Sequence, residues 1–141
     1  MGLLEKIFRR TPKRNKEEGT ALERYFKSFC HAVDGMIYCL KYEHNMVIII
    51  IAAVIVTICG FIFKISEAEW LFIITMFGTI SASEYMNSAI EAAIDLETSE
   101  ILPLAKVSKD VASSATLILC MTSVVGGLII FLPKFLELIG G

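Results

Sequence analysis

The chain has 141 residues, 55% of them hydrophobic, with a mean hydropathy of +0.67 and a formal net charge of −2. It is too short for two ordinary domains and too apolar for a typical soluble one, and it lacks the basic footprint of a nucleic-acid binder. The expectation is one small all-α integral membrane domain, residues 21–141, behind a charged tail.

Residues 1–20 are rich in charge and contain Pro12 and Gly19, so they cannot bury enough apolar surface to order themselves and read as a mobile basic tail. Gly2 is not followed by Ser or Thr at position six, where Lys6 stands, which argues against myristoylation, and no short apolar core with a cleavage site follows. From Ala21 to about Tyr42, Leu22, Phe26, Phe29, Val33, Met36 and Leu40 recur at spacings of three and four. That period is an amphipathic helix, suited to the membrane interface or to another protein surface.

The run from Met46 to Phe63 carries no charge and is long enough to cross the hydrocarbon core. A short polar break, KISEAE, leads to Trp70, a residue that favours the membrane boundary, and a second span runs from about Trp70 to Asp95. The segment ETSEILPLAKVSKD then connects to a third span, about Val111–Leu132, which Pro133 and Lys134 are expected to end. Residues 1–45 hold nine Lys and Arg and residues 95–110 hold two, against one in 64–69 and one near the C-terminus. The excess predicts a multi-pass membrane protein whose N-terminus and second connection are cytoplasmic.

Four cysteines, Cys30, Cys39, Cys59 and Cys120, form no CxxC or Cys/His cluster, which disfavours zinc and a disulfide framework. They read as small buried apolar side chains.

The stretch SEYMNSAIEAAID breaks the second span's apolar character. At about 100° per residue, Glu84, Asn87, Glu91 and Asp95 fall on one narrow helix face. A carboxylate at the centre of a spanning helix costs roughly 2.5 to 3.5 kcal/mol, so this face needs a compensating partner. Magnesium carried by a phosphate ligand fits, since it takes one or two carboxylates with phosphate oxygens and water. Glu43, at the mouth of the first span, and Lys109 with Asp110, entering the third, are expected at the same cytoplasmic edge. The bland alternative is a polar network that holds helices together, helped by Gly78, Ala82, Ser113 and Ser114.

The motif EYMNSAIEAAID, followed by SKDVASSA and preceded by GMIYCLKYE, resembles the small prokaryotic diacylglycerol kinase family. AIDLETSEILPLAKVSKD is more similar to its Gram-positive branch, whose members are mostly undecaprenol kinases, and the resemblance covers the chain from about Arg24 to the end of the third span. It implies that Glu84 accepts the proton of a lipid hydroxyl and that Glu43 and Glu91 hold the magnesium bridging the ATP phosphates. It further implies that Arg24, Glu100, Lys109 and Asp110 contact the nucleotide, that Asn87 orients the site, and that Ser113 lies near the transferred phosphate. A homotrimer with sites shared between neighbouring chains is implied as well. Ser108 replaces the usual alanine before the KD pair, and ASSA replaces the commoner AAGA after it. His31 and His44 lie near the expected site without an assigned role.

Phosphoryl transfer asks the protein for charge neutralisation and an in-line hydroxyl rather than covalent chemistry, and a carboxylate base can help remove the proton. No Walker glycine loop and no HRD or DFG set is present, so helix side chains would hold the nucleotide. The expected activity is transfer of the ATP γ-phosphate to undecaprenol, with diacylglycerol as the alternative acceptor. The rivals outside enzymology are a small oligomeric cation pathway lined by Glu84 and Glu91, and a pure assembly subunit.

Overall fold

Thr20 starts the first helix through a reciprocal pair of hydrogen bonds: its backbone N–H donates to Glu23 Oε2 at 2.8 Å, and its Oγ1 accepts from the Glu23 N–H at 3.3 Å. This capping box satisfies a backbone donor at a terminus that would otherwise be bare. In the computed structural model, residues 20–97, 100 and 102–140 are described, so the expected tail at 1–19 lies outside them. Four helices follow one another: α1 (Ala21–Tyr42), α2 (His44–Ile62), α3 (Glu67–Glu97) and α4 (Pro103–Gly140). No strand occurs among the described residues.

The chain divides into two units, one up to Gly35 and one from Met36 onward. In the first, Leu22, Phe26 and Phe29 stand 78%, 68% and 66% exposed, so the apolar stripe of α1 is open along this part. The helix has the expected bounds, Ala21 to Tyr42.

In the second unit, α2 begins after Glu43, which is extended at φ −99° and ψ 112°. It closes in a Schellman turn, with the Lys64 N–H on the Phe61 carbonyl at 3.3 Å and the Ile65 N–H on the Gly60 carbonyl at 3.1 Å. Lys64 occupies the left-handed position at φ 48°, where glycine is the usual choice. A second capping box follows: Ser66 N–H donates to Glu69 Oε2 at 2.6 Å and Ser66 Oγ accepts from the Glu69 N–H at 3.4 Å. The turn and the box together reverse the chain within a few residues.

Contacts then fix the topology. Along α2 and α3, Gly60 meets Trp70 while Asn45 meets Glu84, so the two helices are antiparallel. Along α3 and α4, Glu69 pairs with Lys134, Phe72 lies on Gly126, Ser83 meets Thr116 and Asp95 meets Lys109, so this pair is antiparallel too. The central helix α3 therefore packs on both neighbours. Gly60 and Gly126 are the places where close approach demands glycine: a Cβ at Gly60 would lie 2.7 Å from the Trp70 ring, and one at Gly126 would collide with Phe72.

Two expectations about α4 are corrected. Its helix starts at Pro103, so the connection shrinks to residues 98–102 and Lys109 and Asp110 are helical. Proline at a first helical position costs nothing, because its missing N–H would have had no partner there. Nor does Pro133 end the helix, which runs on to Gly140. The interior proline forfeits one hydrogen bond, but good helix formers follow it and the adjacent Lys134 is tied to Glu69 at 3.1 Å.

Burial is inverted relative to a water-soluble fold. Among the described residues the buried side chains are five apolar ones, Cys39, Met46, Ile65, Ile80 and Ile130, and four polar ones, Glu84, Asn87, Ser88 and Thr116. Meanwhile Ile48, Ile51, Ile55 and Ile58 on α2, and Ile118, Val125 and Ile129 on α4, face outward. Glutamate is almost never fully enclosed unless paired, and an isoleucine wall in water would mark an aggregation site. Lipid as the solvent accounts for the isoleucine walls, and the Asn45 amide is the partner of the enclosed glutamate. Helices α2 and α4 are long and apolar enough to cross a membrane. At 19 residues, α2 is about 28 Å long, close to the hydrocarbon thickness. Helix α3 has 31 residues, ample length, but its second half is polar.

Candidate functional site

Because α2 runs one way, α3 back and α4 forward again, the start of α2, the end of α3 and the start of α4 lie at one end of the second unit. The polar residues of all three segments meet there. Glu84 is the centre: it is 1% exposed, and its Oε1 accepts a hydrogen bond of 2.7 Å from the Asn45 side-chain amide. Asn45 is the site residue that sequence reasoning missed. Beside an apolar run it reads as an ordinary boundary residue, and the signal that could have exposed it is its matching depth with Glu84 on an antiparallel partner.

One turn further along α3, Asn87 Nδ2 donates to Glu91 Oε1 at 3.0 Å, while its Oδ1 is buried without a hydrogen-bond partner. Turning the amide over would set two oxygens against each other, so the orphan is the acceptor. Buried acceptors are seldom left unmatched, and the hydroxyls of Ser81 and Ser88 on the same helix are likewise buried without a partner. Ser88 is also buried, with the Cys39 thiol beside it. Burial pushes that thiol up from its ordinary pKa, partly offset by the Ser88 hydroxyl, with the charges of Glu43 and Glu84 adding to the rise. Cys39 thus stays a neutral thiol at physiological pH, and all four cysteines are free.

The remaining expected residues of the second unit lie at the same end of its helices. Glu43 is half-buried at the α1–α2 junction and makes no side-chain cap. Lys109 is ion-paired with Asp95, which joins α4 to the last turns of α3. Asp110 and Ser113 are exposed, and Ser113 Oγ donates to the Asp110 carbonyl at 3.0 Å within its own helix. Glu100 is exposed in the short connection, where its carbonyl accepts from the Leu102 N–H at 2.9 Å. Arg24 is exposed in the first unit, whereas the other candidates belong to the second. His31 stands 3.9 Å from Asp34 on exposed surface, and His44 is exposed.

No group of three or more His, Cys, Asp or Glu gathers as a ready metal cage among the described residues. Magnesium keeps waters and phosphate oxygens and needs only one or two protein carboxylates. Glu43 and Glu91 carry hard oxygens of that kind, and the second accepts the Asn87 amide bond.

The architecture is that of a small helical membrane protein with carboxylates, buried amides and a Lys–Asp pair gathered at one end. The chain belongs to the prokaryotic diacylglycerol kinase family, whose profile matches residues 30–131. It is similar to the undecaprenol kinase of Bacillus subtilis, 40% identical over 120 residues that cover 85% of this chain and 98% of that protein. It is also similar to the diacylglycerol kinases of two Helicobacter pylori strains, 36% and 35% identical over 99 residues, covering 68% of this chain and 75% of each relative.

Proposed function

We propose that the chain is a membrane lipid kinase that transfers the γ-phosphate of Mg-ATP to the hydroxyl of undecaprenol, giving undecaprenyl phosphate and ADP. The observation that carries the chemistry is Glu84, a carboxylate enclosed to 1% exposure yet supported by an amide donor. The lipid oxygen attacks the γ-phosphorus, its proton passes to Glu84, the bond to the β-phosphate oxygen breaks, and ADP departs. Glu43 and Glu91 hold the magnesium, which neutralises phosphate charge when bound. Lys109, Asp110, Glu100 and Arg24 contact the nucleotide, and Ser113 lies near the transferred group. Asn87 spans the two functions, keeping Glu91 in place while its orphan oxygen faces the ligand.

The choice of undecaprenol rests on the match to the Bacillus protein, which runs through nearly its whole length. The shorter matches to diacylglycerol kinases support diacylglycerol as the second acceptor, with phosphatidic acid as product. The protein works as a homotrimer with three spans per chain and the N-terminus, led by the basic tail, in the cytoplasm. The outward isoleucine walls of α2 and α4 face lipid or neighbouring copies. Transfer of radiolabelled γ-phosphate from ATP to undecaprenol and to diacylglycerol, each in mixed micelles with purified protein and magnesium, tests the reading. Preferential label in undecaprenol is expected; preference for diacylglycerol promotes the second acceptor, and label in neither from folded protein overturns the kinase assignment.

A further inference from the structure

We infer that Asn45 is a positioning residue for the phosphoryl transfer, holding the Glu84 carboxylate so that Oε2 is the oxygen presented to the lipid hydroxyl. The inference rests on the role of Glu84 proposed above. A side-chain amide N–H can only donate, and the 2.7 Å bond commits Glu84 Oε1 to it. The carboxylate plane is then fixed by a group on a different helix, the second residue of α2. Rotation about the last side-chain torsion of a glutamate is otherwise soft and nearly two-fold, so an unpinned Glu84 would sample orientations in which neither oxygen meets the substrate. A hydrogen bond to a carboxylate is also stronger than one between neutral groups, which suits the task of holding it.

Place in the fold strengthens the assignment. Asn45 is two residues from Glu43, one of the magnesium ligands proposed above, so a single turn at the start of α2 addresses both the metal edge and the base. Met46, the next residue, is only 2% exposed, so the turn that carries Asn45 is anchored in the packed interior. The lipid hydroxyl reaches its acceptor oxygen only if α2 and α3 keep this register, and the Asn45–Glu84 bond is the polar contact that measures it. Asn45 itself is largely exposed as a residue, with its amide turned inward, so its replacement leaves little void.

Steady-state kinetics of the full-length, detergent-solubilised protein with undecaprenol and Mg-ATP decide the matter, using Asn45→Leu, Asn45→Gln and Glu84→Gln alone and Asn45→Leu combined with Glu84→Gln. Asn45→Leu removes the donor and is expected to lower kcat roughly ten- to hundred-fold, the size of effect that a misplaced reacting group produces, while KM for Mg-ATP and lipid stays within about two-fold. Asn45→Gln keeps an amide and recovers most of that loss. Added to Glu84→Gln, Asn45→Leu lowers the residual rate no further, because its effect runs through the group already removed. Full kcat in Asn45→Leu, failure of Asn45→Gln to improve on it, or independent losses in the double variant overturns the inference. If Asn45→Leu does not yield folded protein, Asn45→Ser replaces it in the same comparison. Wild-type kcat in Glu84→Gln would overturn the base role itself; loss there with an active Asn45→Leu would overturn only the part played by Asn45.

Discussion

The two ends of α3 are held by opposite kinds of interaction. At its beginning, Trp70 lies on Gly60 and Phe72 on Gly126, aromatic rings against bare backbone, closed by the Glu69–Lys134 pair. In its second half the enclosed residues are Glu84, Asn87 and Ser88, the first bonded to Asn45 and the second to Glu91. In lipid, apolar surface gains little from being buried, so close packing joins helices where no function is needed. Polar groups occupy the interior only where their desolvation serves a purpose. If the first end is a clamp and the second the site proposed above, changes at the two ends should separate cleanly in their effects.

The sharpest separation comes from Glu84→Gln. It is expected to lower kcat by about two to four orders of magnitude, the range for losing a general base, while Mg-ATP binding, followed calorimetrically, is largely preserved and the oligomer stays folded. Next in size is Glu91→Gln, expected to raise the dissociation constant of Mg-ATP roughly ten- to hundred-fold, as changes around a metal commonly do. If both variants lose ATP binding equally and completely, the division of labour between the two glutamates is wrong.

Changes at the other end should touch stability and spare chemistry. Gly126→Val drives a branched side chain into the Phe72 ring, and overpacking of this kind costs about 1–3 kcal/mol. A lower thermal midpoint in detergent with unchanged kcat per folded molecule is the expected result, and a selective loss of kcat would break the comparison. Smallest is Glu69→Gln. The Ser66 backbone N–H, then the Ser66 hydroxyl and Lys134, hold the Glu69 carboxyl below its usual pKa. A depressed folded-state value means that this stabilisation is present above the ordinary carboxylate range and is lost as pH falls through the lowered value. Wild type and Glu69→Gln should therefore differ slightly in thermal midpoint at neutral pH and converge in acid.

Much of this arrangement is legible in the residues. The three- and four-residue spacing from Leu22 to Leu40 marks α1, and the uncharged run after Met46 marks α2. The common face of Glu84, Asn87 and Glu91 follows from helix geometry alone, and the structure encloses the first two while Asn87 reaches Glu91. Pro133 misled because a local rule for helix breaking takes no account of a long helix anchored on both sides of the break. Asn45 was hidden for a different reason: its importance is a relation between two helices, and a polar residue at the edge of an apolar run has many ordinary explanations. Likewise, the lysine of the KD pair could be assigned to phosphate from charge, but its tie to Asp95 depends on how α4 lies beside α3.

In the role proposed for Glu84, its enclosure bears on economy as well as rate. A kinase base open to bulk water would deprotonate water as readily as an alcohol, and ATP would be hydrolysed with no lipid present. With 1% of its surface accessible, Glu84 has little water to activate in the role proposed for it. Futile ATP turnover in lipid-free micelles should accordingly be slow relative to transfer, a consequence of where the carboxylate sits and not of how tightly the nucleotide is held.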